Sequence, residues 1–220
     1  MQIVIAETAG FCFGVNRAVD MIYKMLSEGR RVATLGPVIH NPQVIEDLEN
    51  RGVKIISAPS EVPEGYEVVI RAHGVTKEIT QKLDELQVKY TDATCPYVLK
   101  IHKIVKEKTN ENNVLIIGGD DTHPEVCGFR SHAKGESFVF KNAEELESLF
   151  RNNEDFAKKE LVFVFQTTFS VKEGKKCAEI IQKVCTNPIY FDTICTATQN
   201  RPDEAALLSK KNDILIVIGG

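Results

Sequence analysis

At 220 residues, with 43% hydrophobic and 26% charged content, the chain is long enough for one large or two ordinary domains around a real apolar core. A net charge of −4, from 27 basic and 31 acidic residues, gives no bulk attraction to nucleic acid or an anionic membrane, while leaving room for a local basic pocket. No apolar run reaches transmembrane length, and the opening MQIVIAETAG lacks the charged and long apolar regions of a secretory signal, so the chain reads as cytoplasmic.

Along the chain, β-branched runs alternate with amphipathic stretches. IVIA is followed by NRAVDMIYKMLSEG, RVATLG by NPQVIEDLENRG, then VKIIS, EVVIRAH and TKEITQKLDELQ. After the run VKYTD come VLKIHKIVKEKTNEN, NVLIIGG, ESFVF, NAEELESLFRN, LVFVFQ, VKEGKKCAEIIQKV, NPIYFD, DEAALLSKKN and DILIVIGG. Apolar residues in the longer stretches recur every three or four positions, which predicts amphipathic helices; the short runs predict strands. Such alternation predicts an α/β fold with mostly parallel sheets and right-handed crossovers, whose ligands sit beyond the carboxyl ends of the strands.

The pattern repeats. Around Cys12, Cys95 and Cys195 a β-rich run leads through Thr or Asp to a cysteine and then to the opening of a helix-like segment. Strands ending in glycine follow: RVATLG before HNPQV, NVLIIGG before THPEV, and DILIVIGG. HNPQV at His40 lines up with HPEV at His123, and EVVIRAH lines up with LVFVFQTT, setting His73 opposite Gln166 and Thr167. The repeat predicts three α/β units: 13–95, 96–192, and a partial third made of 1–12 plus 193–220.

A lone free cysteine is ordinarily a small buried residue. Three in equivalent places are better explained by convergence on one point, as a metal or cluster site with a vacant coordination position. In a reducing compartment six cysteines argue for metal or redox chemistry over disulfides, and the absence of a CxxC pair removes the usual support for a zinc ribbon or a thioredoxin motif. Helices opening after Cys12 and Cys95 would aim backbone N–H groups near the sulfurs and favour thiolate. Three thiolates suit an iron–sulfur cluster, zinc or copper(I), and spacing does not decide among them. Cys127, Cys177 and Cys185 have no counterparts in the other copies; Cys177 and Cys185 read as packing residues in or beside a helix.

His40, His73 and His123 each follow a predicted strand on the face where the cysteines should lie, so they can donate to a phosphate. Glu125, two residues after His123, suits proton delivery, and Thr167 and Thr168 can hold a hydroxyl or a water. His102 and His132 fall outside the repeat and read as structural or solvent-facing.

At these residues the chain resembles the 4-hydroxy-3-methylbut-2-enyl diphosphate reductase family, which catalyses the last step of the methylerythritol phosphate route to isoprenoids. The matching motifs are AGFCFGV with Arg17 and Ala18, GPVIHNPQV, RAHGV, DATCP, THPEV, QTT followed by SV, and DTICTATQNRP; they span essentially the whole chain in order. The resemblance implies three pseudo-symmetric α/β domains around one 4Fe–4S cluster. Cys12, Cys95 and Cys195 would bind three irons, and the fourth iron would take the allylic hydroxyl of the substrate. His40, His73 and His123 would line the diphosphate pocket, with Glu125 directing proton delivery and Thr167 nearby. Ferredoxin, flavodoxin or an equivalent carrier would supply electrons one at a time. Family members continue past DILIVIGG into a Ser-x-Asn loop and a later serine, so a chain ending at Gly220 is expected to be incomplete and to bind substrate poorly. The competing reading is a non-catalytic metal-binding or redox-sensing module, which has no need of a polar pocket beside its metal. A Cys–His thiol hydrolase would need one essential cysteine rather than three.

Overall fold

A computed structural model of the chain describes residues 3–39 and 41–218. Two compact units divide it, one from the chain up to Pro96 together with the segment from Asn200 onward, the other from Tyr97 to Gln199.

The first unit begins with α1 (Phe13–Ser27), β1 (Arg31–Leu35), α2 (Pro42–Asn50), β2 (Lys54–Ile56), β3 (Tyr66–Ile70), α3 (Lys77–Glu85) and β4 (Tyr90–Asp92). Its four strands form a wholly parallel sheet in the order β2-β1-β3-β4. Side chains alternate across a strand, so β1 and β3, buried at nearly every position, must be covered on both faces. Val32 and Val69 pack with Ala18, Val19, Ile22 and Met25 of α1 and Leu48 of α2. Ala33, Leu35, Val68 and Ile70 pack with Leu83 of α3 in a separate cluster. Asn41 caps α2 by accepting from the Val44 amide, and Pro42 occupies the first helical position, where its missing N–H costs nothing. The buried Glu67 of β3 accepts from the Thr91 hydroxyl at 2.7 Å and pairs with Arg30 and Lys89.

The second unit repeats this plan with α4 (Pro96–Lys108), β5 (Val114–Gly118), α5 (Pro124–Ser131), β6 (Ser137–Phe140), α6 (Ala143–Asn152), β7 (Leu161–Phe165), α7 (Val171–Val184) and β8 (Ile189–Tyr190). Its sheet is again parallel, in the order β6-β5-β7-β8. Strand for strand this is the topology of the first sheet. One face of the core is aromatic: Phe140, Phe163, Phe165 and Phe169 cluster with Leu146 of α6 and with Cys177 and Ile181 of α7. The Phe140 and Phe165 rings meet edge to face at 6.0 Å and 90°. Burial pushes the Cys177 thiol up to about 11, as expected of a packing cysteine. The last helix, α8 (Thr196–Ser209), contains Pro202 and has no buried residue.

Two predicted strands are absent. IVIA and the described part of DILIVIGG carry no regular structure, and Ile3, Ile5, Ile216 and Ile218 are exposed. A strand exists only through its hydrogen-bonded neighbours, and neither segment joins either sheet. The segment 7–10 is instead tied to α8. Glu204 accepts from the amides of Glu7 at 2.6 Å and Thr8 at 2.8 Å, and Arg201 donates to the Gly10 carbonyl at 2.7 Å.

Candidate active site

In each sheet the chain leaves the carboxyl end of one central strand toward one edge and that of its neighbour toward the other. The crevice at such a reversal is where open α/β sheets place ligands. In the first sheet it lies between β1 and β3, in the second between β5 and β7. The registers Thr34↔Val69 and Ile117↔Val164 make Gly36 the counterpart of Gly119, and Arg71 that of Gln166. In both copies the side chain after the second strand lies over the glycine after the first. A Cβ on Gly36 (φ +71°) would sit 2.8 Å from Arg71 Nη1, and one on Gly119 would sit 2.9 Å from Gln166 Oε1. Glycine is therefore the residue that admits each of these crossings.

All three repeat cysteines stand immediately before a helix. Cys12 caps α1 with extended backbone at φ −70° and ψ 164°, Cys95 precedes Pro96 of α4, and Cys195 precedes Thr196 of α8. The approach to two of them is the same. The Cys95 amide donates to the Ala72 carbonyl at 2.9 Å, and the Cys195 amide to the Thr167 carbonyl at 2.8 Å. The carboxylates of Asp92 and Asp192 each accept from the amide two residues on, at 2.8 and 3.3 Å, which bends the chain toward the cysteine. These bonds correct the sequence alignment by one residue: Ala72 answers to Thr167, so His73 stands opposite Thr168. Sequence patterning had counted from the strand runs, whereas the backbone bonds to the cysteines fix the register.

Cys12, Cys95 and Cys195 are half-buried free thiols. Cys12 and Cys95 belong to the first unit and Cys195 to the second. Among the described residues no group of three or more His, Cys, Asp or Glu side chains is gathered as a metal cage. Each cysteine's own setting nevertheless suits a soft metal centre: sulfur donors at helix N-termini, and space beside Cys95 Sγ that a Cβ on Gly14 would invade at 2.7 Å.

In the second unit the loop after β5 ends at His123, and the first turn of α5 presents Glu125. Asp120 receives its shape from Gln166, whose Oε1 accepts from the Asp120 amide at 3.0 Å. His123 then caps α5, its Nδ1 accepting from the Glu125 amide at 3.2 Å, and Pro124 opens the helix. By cap position His123 answers to Asn41 of α2; His40 lies outside the described residues. Glu125 is 1% exposed. Its Oε1 accepts from the Thr167 amide at 2.6 Å and its Oε2 from the Thr167 hydroxyl at 3.0 Å. Burial raises the Glu125 carboxyl above its ordinary range, and the two Thr167 bonds pull back only part of that rise.

Thr167, named from the sequence as a holder of a hydroxyl or water, is also a backbone junction. Its amide and hydroxyl hold Glu125, while its carbonyl holds both the Cys195 amide and the Thr198 hydroxyl, the latter at 2.9 Å. The Thr168 hydroxyl accepts from the Gln166 side-chain amide at 3.0 Å, and so lies in the same loop. Thr193 went unnoticed in the sequence: its hydroxyl accepts from the Phe165 amide at 2.7 Å and donates to the Phe165 carbonyl at 2.6 Å, extending the β7–β8 ladder toward Cys195. His102 and His132 stay apart from this set. Their rings pack at 4.7 Å, and His102 meets Phe129 edge-on at 5.7 Å. No helix among the described residues is long and apolar enough to cross a membrane.

Comparison with known proteins gives a consistent result. The chain is 39% identical to the 4-hydroxy-3-methylbut-2-enyl diphosphate reductase of Caldanaerobacter subterraneus subsp. tengcongensis, with all of this chain and 76% of the relative covered. It is 41% identical to the reductase of the same name from Thermoanaerobacter sp. (strain X514), with the same coverage. A solved structure of (E)-4-hydroxy-3-methyl-but-2-enyl diphosphate reductase, described as the terminal enzyme of the non-mevalonate pathway, superposes with a TM-score of 0.79 at 36% identity, covering 99% of this chain and 76% of that one. The corresponding reductase of Plasmodium falciparum gives a TM-score of 0.80 at 27% identity, over 92% of this chain and 63% of that one. A family model for the LytB protein matches residues 3–220, and with relatives this similar over three quarters of their length the chain belongs to the LytB protein family.

Proposed function

We propose that the chain is a 4-hydroxy-3-methylbut-2-enyl diphosphate reductase. It converts (E)-4-hydroxy-3-methylbut-2-enyl diphosphate, two electrons and two protons into isopentenyl or dimethylallyl diphosphate and one water. The carbon–oxygen bond of the allylic alcohol breaks, the hydroxyl leaves as water, and a carbon–hydrogen bond forms. The similarity over the whole chain to reductases of this name carries the reading.

Cys12, Cys95 and Cys195 are the residues that would hold an iron–sulfur cluster of the 4Fe–4S type. That group supplies electrons and an open Lewis-acid position for the hydroxyl. An external one-electron carrier of the ferredoxin or flavodoxin class replenishes the electrons. The chain's own residues bind the diphosphate and manage the protons. His40, His73 and His123 are assigned to the phosphate oxygens as hydrogen-bond donors, and Thr167 and Thr168 to the substrate as well. Glu125 holds the proton for the departing hydroxyl; burial favours its neutral form, and Thr167 fixes its orientation. A non-catalytic metal module has no use for a carboxyl group buried and aimed in this way. The domain division 13–95, 96–192 and 1–12 plus 193–220 belongs to the same proposal, supported by the matching sheets and by the bonds from Glu204 and Arg201 to the segment 7–10.

The test is anaerobic. The chain is reconstituted with iron and sulfide and given the allylic diphosphate with a reduced one-electron dye, and products are identified by mass spectrometry. Both C5 diphosphates are expected, with loss of activity and of iron in Cys→Ser variants at Cys12, Cys95 and Cys195, and retention at Cys127, Cys177 and Cys185. Tight binding of zinc in place of iron, with no product, would overturn the reading.

A further inference from the structure

Gly14 and Arg17 lie one turn apart on α1 and both face the turn that carries Cys95. Arg17 Nη1 donates to the Thr94 carbonyl at 3.1 Å, and the Cys95 amide donates to the Ala72 carbonyl at 2.9 Å. Those two atoms are the polar ends of a single peptide unit, the one joining Thr94 to Cys95, so that unit is held from both sides. The Thr94 amide is held in turn by Asp92 at 2.8 Å. Thr94 is buried, and Arg17 forms no ion pair among the described residues. A half-buried guanidinium that spends one N–H on a carbonyl keeps its full positive charge beside the peptide that carries the thiol.

Gly14 acts on the sulfur itself. A Cβ built at Gly14 would stand 2.7 Å from Cys95 Sγ and 2.9 Å from Cys95 Cβ, closer than real Cβ contacts come. A side chain there would force Sγ out of its present rotamer. The Cys195 turn is secured differently, by the hydroxyls of Thr193 and Thr198.

We propose that Gly14 and Arg17 are positioning residues for Cys95: Arg17 clamps the Thr94–Cys95 peptide and places a positive charge beside the turn that carries this thiol, and Gly14 reserves the volume that the sulfur occupies. The inference rests on the reading of Cys95 as a cluster ligand. It assigns to α1 a second task besides carrying Cys12, namely aiming the ligand of the neighbouring turn.

The experiment compares wild type with Gly14→Ala, Arg17→Met, Arg17→Lys and Cys95→Ser after anaerobic reconstitution. The readouts are iron and sulfide per chain, the rate of cluster loss to a chelator, the cluster's reduction potential, and thermal unfolding of the metal-free chain. Gly14→Ala and Arg17→Met should lose the cluster about 10- to 100-fold faster than wild type, the range seen when groups supporting metal ligands are removed. Arg17→Met should also shift the potential to more negative values, since it deletes a cation, while Arg17→Lys should restore the potential but only part of the retention. If Cys95→Ser abolishes the cluster while the Gly14 and Arg17 variants keep wild-type retention and potential, the positioning roles are wrong and the cluster reading stands. If Cys95→Ser keeps wild-type iron, sulfide and spectrum, the cluster reading of Cys95 fails and takes the inference with it. Losses that follow unfolding of the metal-free variants would mark both residues as merely structural and overturn the proposal.

Discussion

Replacing Glu125 by glutamine separates its chemistry from its packing. The side chain is 1% exposed and receives two bonds, from the Thr167 amide at 2.6 Å and the Thr167 hydroxyl at 3.0 Å. Glutamine has nearly the same shape. Its carbonyl oxygen can still accept from the buried amide, and its NH2 can donate to the hydroxyl, which rotates to accept, so no buried polar atom is orphaned. What disappears is the exchangeable acid proton. General acid catalysis contributes about 10²- to 10⁴-fold, or roughly 3–5 kcal/mol of barrier. We therefore expect kcat to fall by that factor with thermal stability close to wild type. Glu125→Ala should lose the same activity and in addition destabilise the fold by about 1–3 kcal/mol, because the Thr167 amide is then buried without a partner. The pH profile supplies an independent check. Burial raises the Glu125 carboxyl, so the neutral acid persists above the ordinary carboxylate range and is lost as pH rises through that raised value. Wild-type turnover should fall along that limb, whereas the glutamine variant should be slow and flat. The assay is anaerobic turnover with a reduced dye across pH, beside thermal unfolding. Turnover within about threefold of wild type, or an unchanged alkaline limb, would refute the role given to Glu125.

Glu67 offers a stability counterpart: burial pushes its carboxyl up, but the bonds from Arg30, Thr91 and Lys89 outweigh this and bring it from 4.5 to about 2. A carboxylate so depressed stabilises the fold by about 3 kcal/mol at neutral pH, a contribution present above the unfolded value and lost as pH falls through the folded one. The urea midpoint of Glu67→Gln should therefore lie well below wild type at pH 7 and converge with it toward pH 2; a gap independent of pH would dismiss the ionic explanation. Thr193→Val should cost about 1–3 kcal/mol by leaving the Phe165 amide without its acceptor, with Thr193→Ser near wild type in the same melts. Phe163, fully buried in the aromatic face, should cost about 3–5 kcal/mol on truncation to alanine, read by chemical denaturation, and a loss under 1 kcal/mol would contradict the packing described.

The central strands were readable because burial on both faces leaves no polar alternation to confuse, as in VVI of β3 and VFVF of β7. The cysteines were readable because repetition tells position where a single residue does not. IVIA and DILIVIGG carry the same composition as the true strands, yet pairing depends on distant neighbours and not on the run itself, and neither segment pairs among the described residues. The helix PEVCGFRS of α5 was not legible from periodicity, since its eight residues show little amphipathic contrast. The crossings of Arg71 over Gly36 and of Gln166 over Gly119 join residues dozens of positions apart, and their only local trace is a glycine closing each strand. Thr193 and Thr198 look like ordinary β-branched residues until their hydroxyls are seen on backbone atoms.

One threonine holds a carboxylic acid with its amide and hydroxyl, and a cysteine turn with its carbonyl. A peptide plane is rigid, and turning either plane at Thr167 moves whatever hangs from it. The acid and the cysteine turn are therefore coupled through one residue. A substitution that displaces Thr167 moves both the Glu125 carboxyl and the Cys195 turn, which on the proposed reading are the proton source and a cluster ligand. A change that shifts either must be compensated elsewhere in the loop, at residues such as Thr198, whose hydroxyl holds the Thr167 carbonyl from outside.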